Sequence, residues 1–334
     1  MNMSAAQKQT LIDRSGQVLL ALLALGLLTK MFAAPAEFAG QTMIGLTNGA
    51  LIALIALGYT MVYGIIELIN FAHGDVFMLG SMIGMQLIVT LGVTASSPVF
   101  VRIGMVLFAL VVCMTFCALL NVGIERVAYR PLRNAPPLAP LITAIGMSFI
   151  LSNIGQKVWG PSQIDVPNLI SDAAIIGSLR VKDVFVLAVT VPLLLGLTWF
   201  VKNTKQGKAM RATAQDKGAA AIMGIDVNKT IALTFLLGGL LAGASGLMFA
   251  LFNTTTVWDS GFRNGLFAFT AAVLGGIGNL TGAVLGGVLL GLIASYADHY
   301  IGLRWTEIVI FSILVAVLVF RPTGLLGEQA ITRA

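Results

Sequence analysis

The sequence predicts an all-α integral membrane protein, a polytopic bundle of eight to ten transmembrane helices. Three observations predict it. Of the 334 residues, 57% are apolar and only 10% charged, whereas a soluble domain carries about 25% charged residues. Mean hydropathy is +0.94. The apolar residues also gather in runs close to the roughly 17–25 residues that a spanning helix needs.

Taken in order, the first run, 17–34, reads as a retained first helix, because no small-residue cleavage site follows it. Further spans are expected at 41–64, 76–93, 99–124, 138–158, 183–201, 230–252 and 305–320. Residues 264–297 form two short apolar pieces broken at Gly275-Gly276-Ile277-Gly278-Asn279-Leu280-Thr281-Gly282. That break is either a tight turn between two helices or the tip of a re-entrant pair buried in protein. The chain has 37 glycines, some in patterns such as Gly239-x-x-x-Gly243 and Gly282-x-x-x-Gly286. Small residues let helix backbones approach closely in lipid, which implies a compact bundle.

Lysine and arginine set the expected orientation. The loop 202–229 holds Lys202, Lys205, Lys208, Arg211, Lys217 and Lys229 against Asp216 and Asp226, and the loop 125–137 holds Arg126, Arg130 and Arg133. Both are expected in the cytoplasm, and the N-terminus with Lys8 and Arg14 as well. The loop 159–182 then faces outward. Arg321 and Arg333 share the inner side only if both pieces of 264–297 cross or neither does. The net charge of +6 is that of a protein with basic inner loops, and implies no nucleic-acid partner.

Several function classes are excluded. Cys113 and Cys117 lie one turn apart without a histidine or acidic neighbour, so neither a metal site nor a disulfide framework is expected. The expected spans carry almost no carboxylates, which argues against proton relays and for a channel that passes its cargo without a strong fixed site. Sodium coupling through backbone carbonyls stays open. No phosphate-binding loop is present, so ATP could act only through another subunit. Gly243-Ala244-Ser245-Gly246 matches the G-x-S-G string of intramembrane serine proteases, with His73 or His299 as the only bases. A packing seam explains that string better, and no catalytic residues are expected.

Two segments carry information. In Glu67-Leu68-Ile69-Asn70-Phe71-Ala72-His73-Gly74-Asp75, Glu67, Asn70 and His73 recur every three residues and could share a helix face. On physics alone, this segment reads as a hydrated cytoplasmic turn. The second runs from Gly207 to Asp226, where charges flank a strip of alanine and glycine that suits a surface on which another protein packs. Asn48, Thr143, Ser148 and Asn153 are uncharged polar groups in the spans that could ease passage of a solute.

The same segments carry a resemblance. Ile69-Asn70-Phe71-Ala72-His73-Gly74, Glu125-Arg126-Val127-Ala128-Tyr129-Arg130-Pro131-Leu132-Arg133, Ile142-Thr143-Ala144-Ile145-Gly146-Met147-Ser148, Met210-Arg211-Ala212 with Ala214-Gln215-Asp216, Leu274-Gly275-Gly276-Ile277-Gly278-Asn279 and Arg321-Pro322-Thr323-Gly324-Leu325-Leu326-Gly327 occur in order over about 41–328. In these strings the chain resembles the permease subunits of branched-chain amino acid ABC transporters, nearer to the H-type than to the M-type. The resemblance implies one permease domain over 1–334 in a bacterial inner membrane, with 202–229 as a coupling loop. Arg211, Gln215, Asp216, Gly218, Ala219, Ala220 and Gly224 would then meet the ATPase, although Gly218 stands where the family pattern has glutamate and the usual proline is missing. Implied partners are a second permease, two ATPase subunits that use the ATP, and an external binding protein; this chain would hold no cofactor. Leucine, isoleucine and valine are the implied substrates. Urea or short amides, carried by related permeases, and a stand-alone sodium-coupled carrier are the alternatives.

Overall fold

A computed structural model describes residues 29, 31–133, 135–136, 138–321 and 323–327. The expected first span, 17–34, lies largely outside the described residues, as do Lys8, Arg14, Lys30, Pro322 and Arg333. The described chain is helical almost throughout. Its helices are α1 (Pro35–Ile66), α2 (Ala72–Thr90), α3 (Val99–Ile124), α4 (Leu138–Trp159), α5 (Val181–Asn203), α6 (Lys205–Gln215), α7 (Lys217–Ile222), α8 (Val227–Asn253), α9 (Ser260–Gly275), α10 (Leu280–Ala297) and α11 (Thr306–Phe320). Among the described residues, seven helices are long and apolar enough to cross a membrane: α1 to α5, α8 and α10. The shorter α9 and α11 complete the bundle.

Local chemistry accounts for the boundaries. Pro35 occupies the first turn of α1, where its missing N–H costs nothing. The 32 residues of α1 extend about 48 Å at 1.5 Å per residue, well beyond the roughly 30 Å hydrocarbon core. It ends at Glu67, which is left-handed at φ 59. Asp216 caps α7 by accepting from the Ala219 N–H at 2.9 Å, and Asp226 caps α8 by accepting from the Lys229 N–H at 3.0 Å.

The bundle is organised around α1, α2 and α8, which are buried along most of their length. Glycines set its seams. A Cβ on Gly239 would lie 2.4 Å from the Cys117 carbonyl oxygen, and one on Gly243 the same distance from that of Cys113, so this pattern seats α8 on α3. Gly45 and Gly49 of α1 meet Leu292, Gly287 and Gly291 of α10 in the same way. Between 264 and 297, the structure has a tight turn joining two antiparallel helices. Gly275 packs on Gly282 and Gly286 on the Ala271 carbonyl, while Gly276 and Gly278 take φ 107 and 92. Asn279 then caps α10 by accepting from the Gly282 N–H at 3.0 Å.

The bundle has two distinguishable ends. At one, β1 (Ile164–Asp165) pairs antiparallel with β4 (Thr255–Thr256), while β2 (Ala174–Ile176) and β3 (Leu179–Arg180) form a hairpin. Gln41 meets Ser295 and His299 at this end. At the other end lie α6, α7, the 276–279 turn and the tail, whose Leu325 and Leu326 N–H groups bond the Leu274 and Gly275 carbonyls at 2.9 and 3.0 Å. The basic 125–133 segment joins this second end through Arg133, which donates to Asn228.

Candidate functional site

The segment 67–75 is neither a helix face nor a hydrated turn. Glu67 breaks the helix and is exposed, whereas Asn70 and His73 are buried at 1% and 0% exposure. The chain turns after Ile66 and runs back into the bundle, so that α2 starts in its interior. His73 lies against Gly238, near the middle of α8, and Asp75 meets Ser148, in the middle of α4. The segment has to be irregular because α2 begins at depth. Its backbone can be irregular there because protein covers it from Asn70 onward, with Phe71 half-buried.

Asn70 holds this re-entry in place. Its Oδ1 accepts from the Tyr129 hydroxyl at 3.0 Å, and its Nδ2 donates to Asn121 Oδ1 at 3.5 Å. The Asn121 amide donates in turn to the Phe235 carbonyl at 2.6 Å. Two sequence strings 59 residues apart thus meet in one hydrogen bond. In the second string, fully buried Glu125 accepts from Arg130 at 3.3 Å and contacts Arg133. Phe71 packs on the core beside Phe269, and Ala72 is fully buried. The His73 ring stands edge-on to Tyr59 with centroids 5.0 Å apart, against a glycine whose Cβ would lie 2.2 Å from Nε2. That glycine is Gly58, and Gly74 likewise admits the Gly261 carbonyl and Gly265.

Asp75 corrects the expectation of a bundle without interior carboxylates. It lies one residue before the expected start of a span, is fully buried, and accepts a short hydrogen bond from Ser148 on Oδ2. Its Oδ1 faces Gly261 without a partner among the described residues.

The expected pathway residues lie on two helices, α1 and α4. Ser148 is spent on Asp75. Thr143 and Asn153 bond the carbonyls of Ala139 and Phe149 in their own helix, at 2.9 and 2.7 Å. Asn48 lies in α1. Ser245 donates to the Leu51 carbonyl at 3.0 Å and meets neither histidine, so G-x-S-G is a seam between helices.

The loop between α5 and α8 is two short helices joined at Asp216. Thr204 caps α6 through the Gly207 N–H at 3.0 Å. Arg211 is exposed, and its guanidinium donates back to the Val201 carbonyl. Ala220 is turned inward, at 4% exposure, and the Ile225 N–H closes on its carbonyl at 3.0 Å with Gly224 at φ 84. Gln215, Asp216, Gly218 and Ala219 are exposed. The most exposed apolar side chains here are Ile222 and Met223, at 88% and 81%. Sequence reasoning missed them, although an adjacent apolar pair in a charged loop is a readable signal. The Lys229 backbone N–H, and its ammonium at 3.1 Å, hold the Asp226 carboxyl below the usual carboxylate range.

Comparison with known proteins matches residues 41–318 to the family described as "Branched-chain amino acid transport system / permease component". The high-affinity branched-chain amino acid transport system permease protein LivH of Salmonella typhimurium is 38% identical over 305 residues, covering 89% of this chain and 97% of that relative. BraD of Pseudomonas aeruginosa, of the same description, is 39% identical over 300 residues, covering 88% and 97%. LivH of Escherichia coli is 37% identical over 303 residues, covering 89% and 97%.

Proposed function

The chain belongs to the permease family of the branched-chain amino acid transport system, and on that premise we propose that it is the membrane channel of an ATP-binding-cassette importer of leucine, isoleucine and valine. The observation that carries this reading is identity of 38% sustained over 97% of a relative so described. The exposed Ile222 and Met223 support a docking role for the α6–α7 loop, since burying such a side chain contributes about 1.5–3 kcal/mol. The sequence has no phosphate-binding loop of its own, so the ATP is used by two partner ATPase subunits. A second permease and an external binding protein complete the assembly in a bacterial inner membrane. The N-terminus and the basic end of the bundle face the cytoplasm, as the Lys and Arg excess directs.

The experiment is ATP-dependent leucine uptake by the complex in proteoliposomes, competed by isoleucine, valine, urea and acetamide. Ile222→Asp and Met223→Asp should insert normally, lose the co-purifying ATPase and abolish uptake. Competition by urea or acetamide alone would reassign the substrate. Sodium-driven leucine uptake by the isolated chain, with no ATPase present, would overturn the importer reading.

A further inference from the structure

A cavity of about 490 Å³ opens at the basic end of the bundle, between the end of α1, the α5–α6 joint and the 276–279 turn. Its walls combine two kinds of surface. Met61, Ile65, Met210 and Leu280 are apolar, whereas Lys202 and Arg211 bring two cations from adjoining helices. Among the described residues no acidic side chain lines it, and neither cation takes part in an ion pair. Thr60, also in the lining, is 1% exposed, and its Oγ1 has no hydrogen-bond partner among the described residues. An unmade hydrogen bond at a buried hydroxyl is costly, and a ligand oxygen at that point would remove the cost.

We propose that this cavity is a binding site for an anionic group carried on an aliphatic body, a small branched aliphatic carboxylate being the water-soluble form. The two cations hold the charge through charge-assisted hydrogen bonds, the methionine, isoleucine and leucine side chains take the aliphatic part, and Thr60 donates to an oxygen. The missing acidic group matters for selectivity. An ammonium group would enter with no carboxylate to meet it, so the site favours a carboxylate over the zwitterionic amino acid of the same skeleton. A phospholipid headgroup with its acyl chain offers the same chemistry from a second source. One wall is α6, separated from α7 by Asp216 alone, so an occupant rests against the base of that loop. The binding claim stands apart from what the chain transports.

The test is equilibrium dialysis of radiolabelled 4-methylpentanoate with the full chain in phosphatidylcholine nanodiscs. Saturable binding is expected, weakened about tenfold or more by Lys202→Gln, the loss of one charge-assisted contact, with leucine a weaker competitor. Arg211→Gln should act in the same direction, but it also uncaps Val201, so Lys202→Gln carries the decision. Arg304→Gln, at the opposite end, should bind as wild type does. Absence of saturable binding, or equal binding by wild type and Lys202→Gln, overturns the proposal. Repeating the titration in discs containing phosphatidylglycerol separates the sources. Probe displacement, with lipid retained by wild type but not by Lys202→Gln in native mass spectrometry, assigns the anion to a headgroup. Unchanged probe binding assigns it to the soluble carboxylate.

Discussion

Removing the Tyr129 hydroxyl tests whether the Asn70 re-entry is held as the geometry implies. Tyr129→Phe deletes the 3.0 Å donor to Asn70 Oδ1 and a longer 3.5 Å contact to the Ile69 carbonyl. Both residues are nearly buried, at 3% and 1% exposure, so no water replaces the donor. A buried acceptor left unpaired costs about 1–3 kcal/mol in soluble proteins. Interhelical hydrogen bonds in a membrane average about 0.6 kcal/mol, with a maximum near 1.7, because the unfolded chain in lipid finds other partners. The site lies inside packed protein but close to one end, which places the expected pair coupling near 1 kcal/mol. The assay is a double-mutant cycle of Tyr129→Phe and Asn70→Leu by equilibrium unfolding of the purified chain in mixed detergent micelles. Each single variant strands a polar group, and the double variant strands fewer, so it should be less destabilised than the sum of the two. Additivity within about 0.3 kcal/mol would mean that this contact contributes nothing to holding the segment.

Three further outcomes are expected. With the buried Cys113 and Cys117 replaced, an impermeant thiol reagent on intact cells should label Ser162→Cys and not Gln215→Cys; the reverse pattern would invert the orientation. Gly291→Ala puts a methyl 2.3 Å from the backbone of Gly49 and should destabilise by about 1–3 kcal/mol or more, while Gly196→Ala, with nothing within 4 Å, should stabilise by up to about 1 kcal/mol; thermal unfolding shifts of the same sign for both would refute the seam. Lys182, bonded at 2.9 Å, holds the Asp172 carboxyl below its usual range, so its contribution is present above the unfolded value and lost as pH falls through the lowered one. The stability difference between wild type and Asp172→Asn should therefore shrink on acidification from pH 7 to about pH 3, and a difference that grows would contradict this ion pair.

The spans were legible because hydrophobic length is a one-dimensional property. The depth at which a helix begins is not. Val76 looks like the start of a span because Asn70, His73 and Asp75 read as polar, and polar residues near a span end normally sit in water. Only the fold shows that Gly58, Gly238 and Gly261 leave room for those side chains inside the bundle. The same limit applies to the loop. An alanine strip is visible in sequence, but which alanine turns inward depends on the bond from Ile225 to Ala220 across a left-handed Gly224. The pair Asn70–Tyr129 was present only as two strings, with nothing in their spacing to say that they touch.

Several of the strings that carry the family resemblance mark where the chain departs from plain helix packing. Asn70, Tyr129 and Asn121 close one polar network, Glu125 with Arg130 and Arg133 closes another, and Gly275 and Gly276 admit the tail. Each is a point where a buried polar group or a crowded backbone has to be satisfied from within the protein, Glu125 at 0% exposure by two partly exposed arginines. The α6–α7 loop is bound into this frame rather than hanging from it. Arg211 ties it to α5, Asp226 caps α8 at its exit, and Met210 packs into the core.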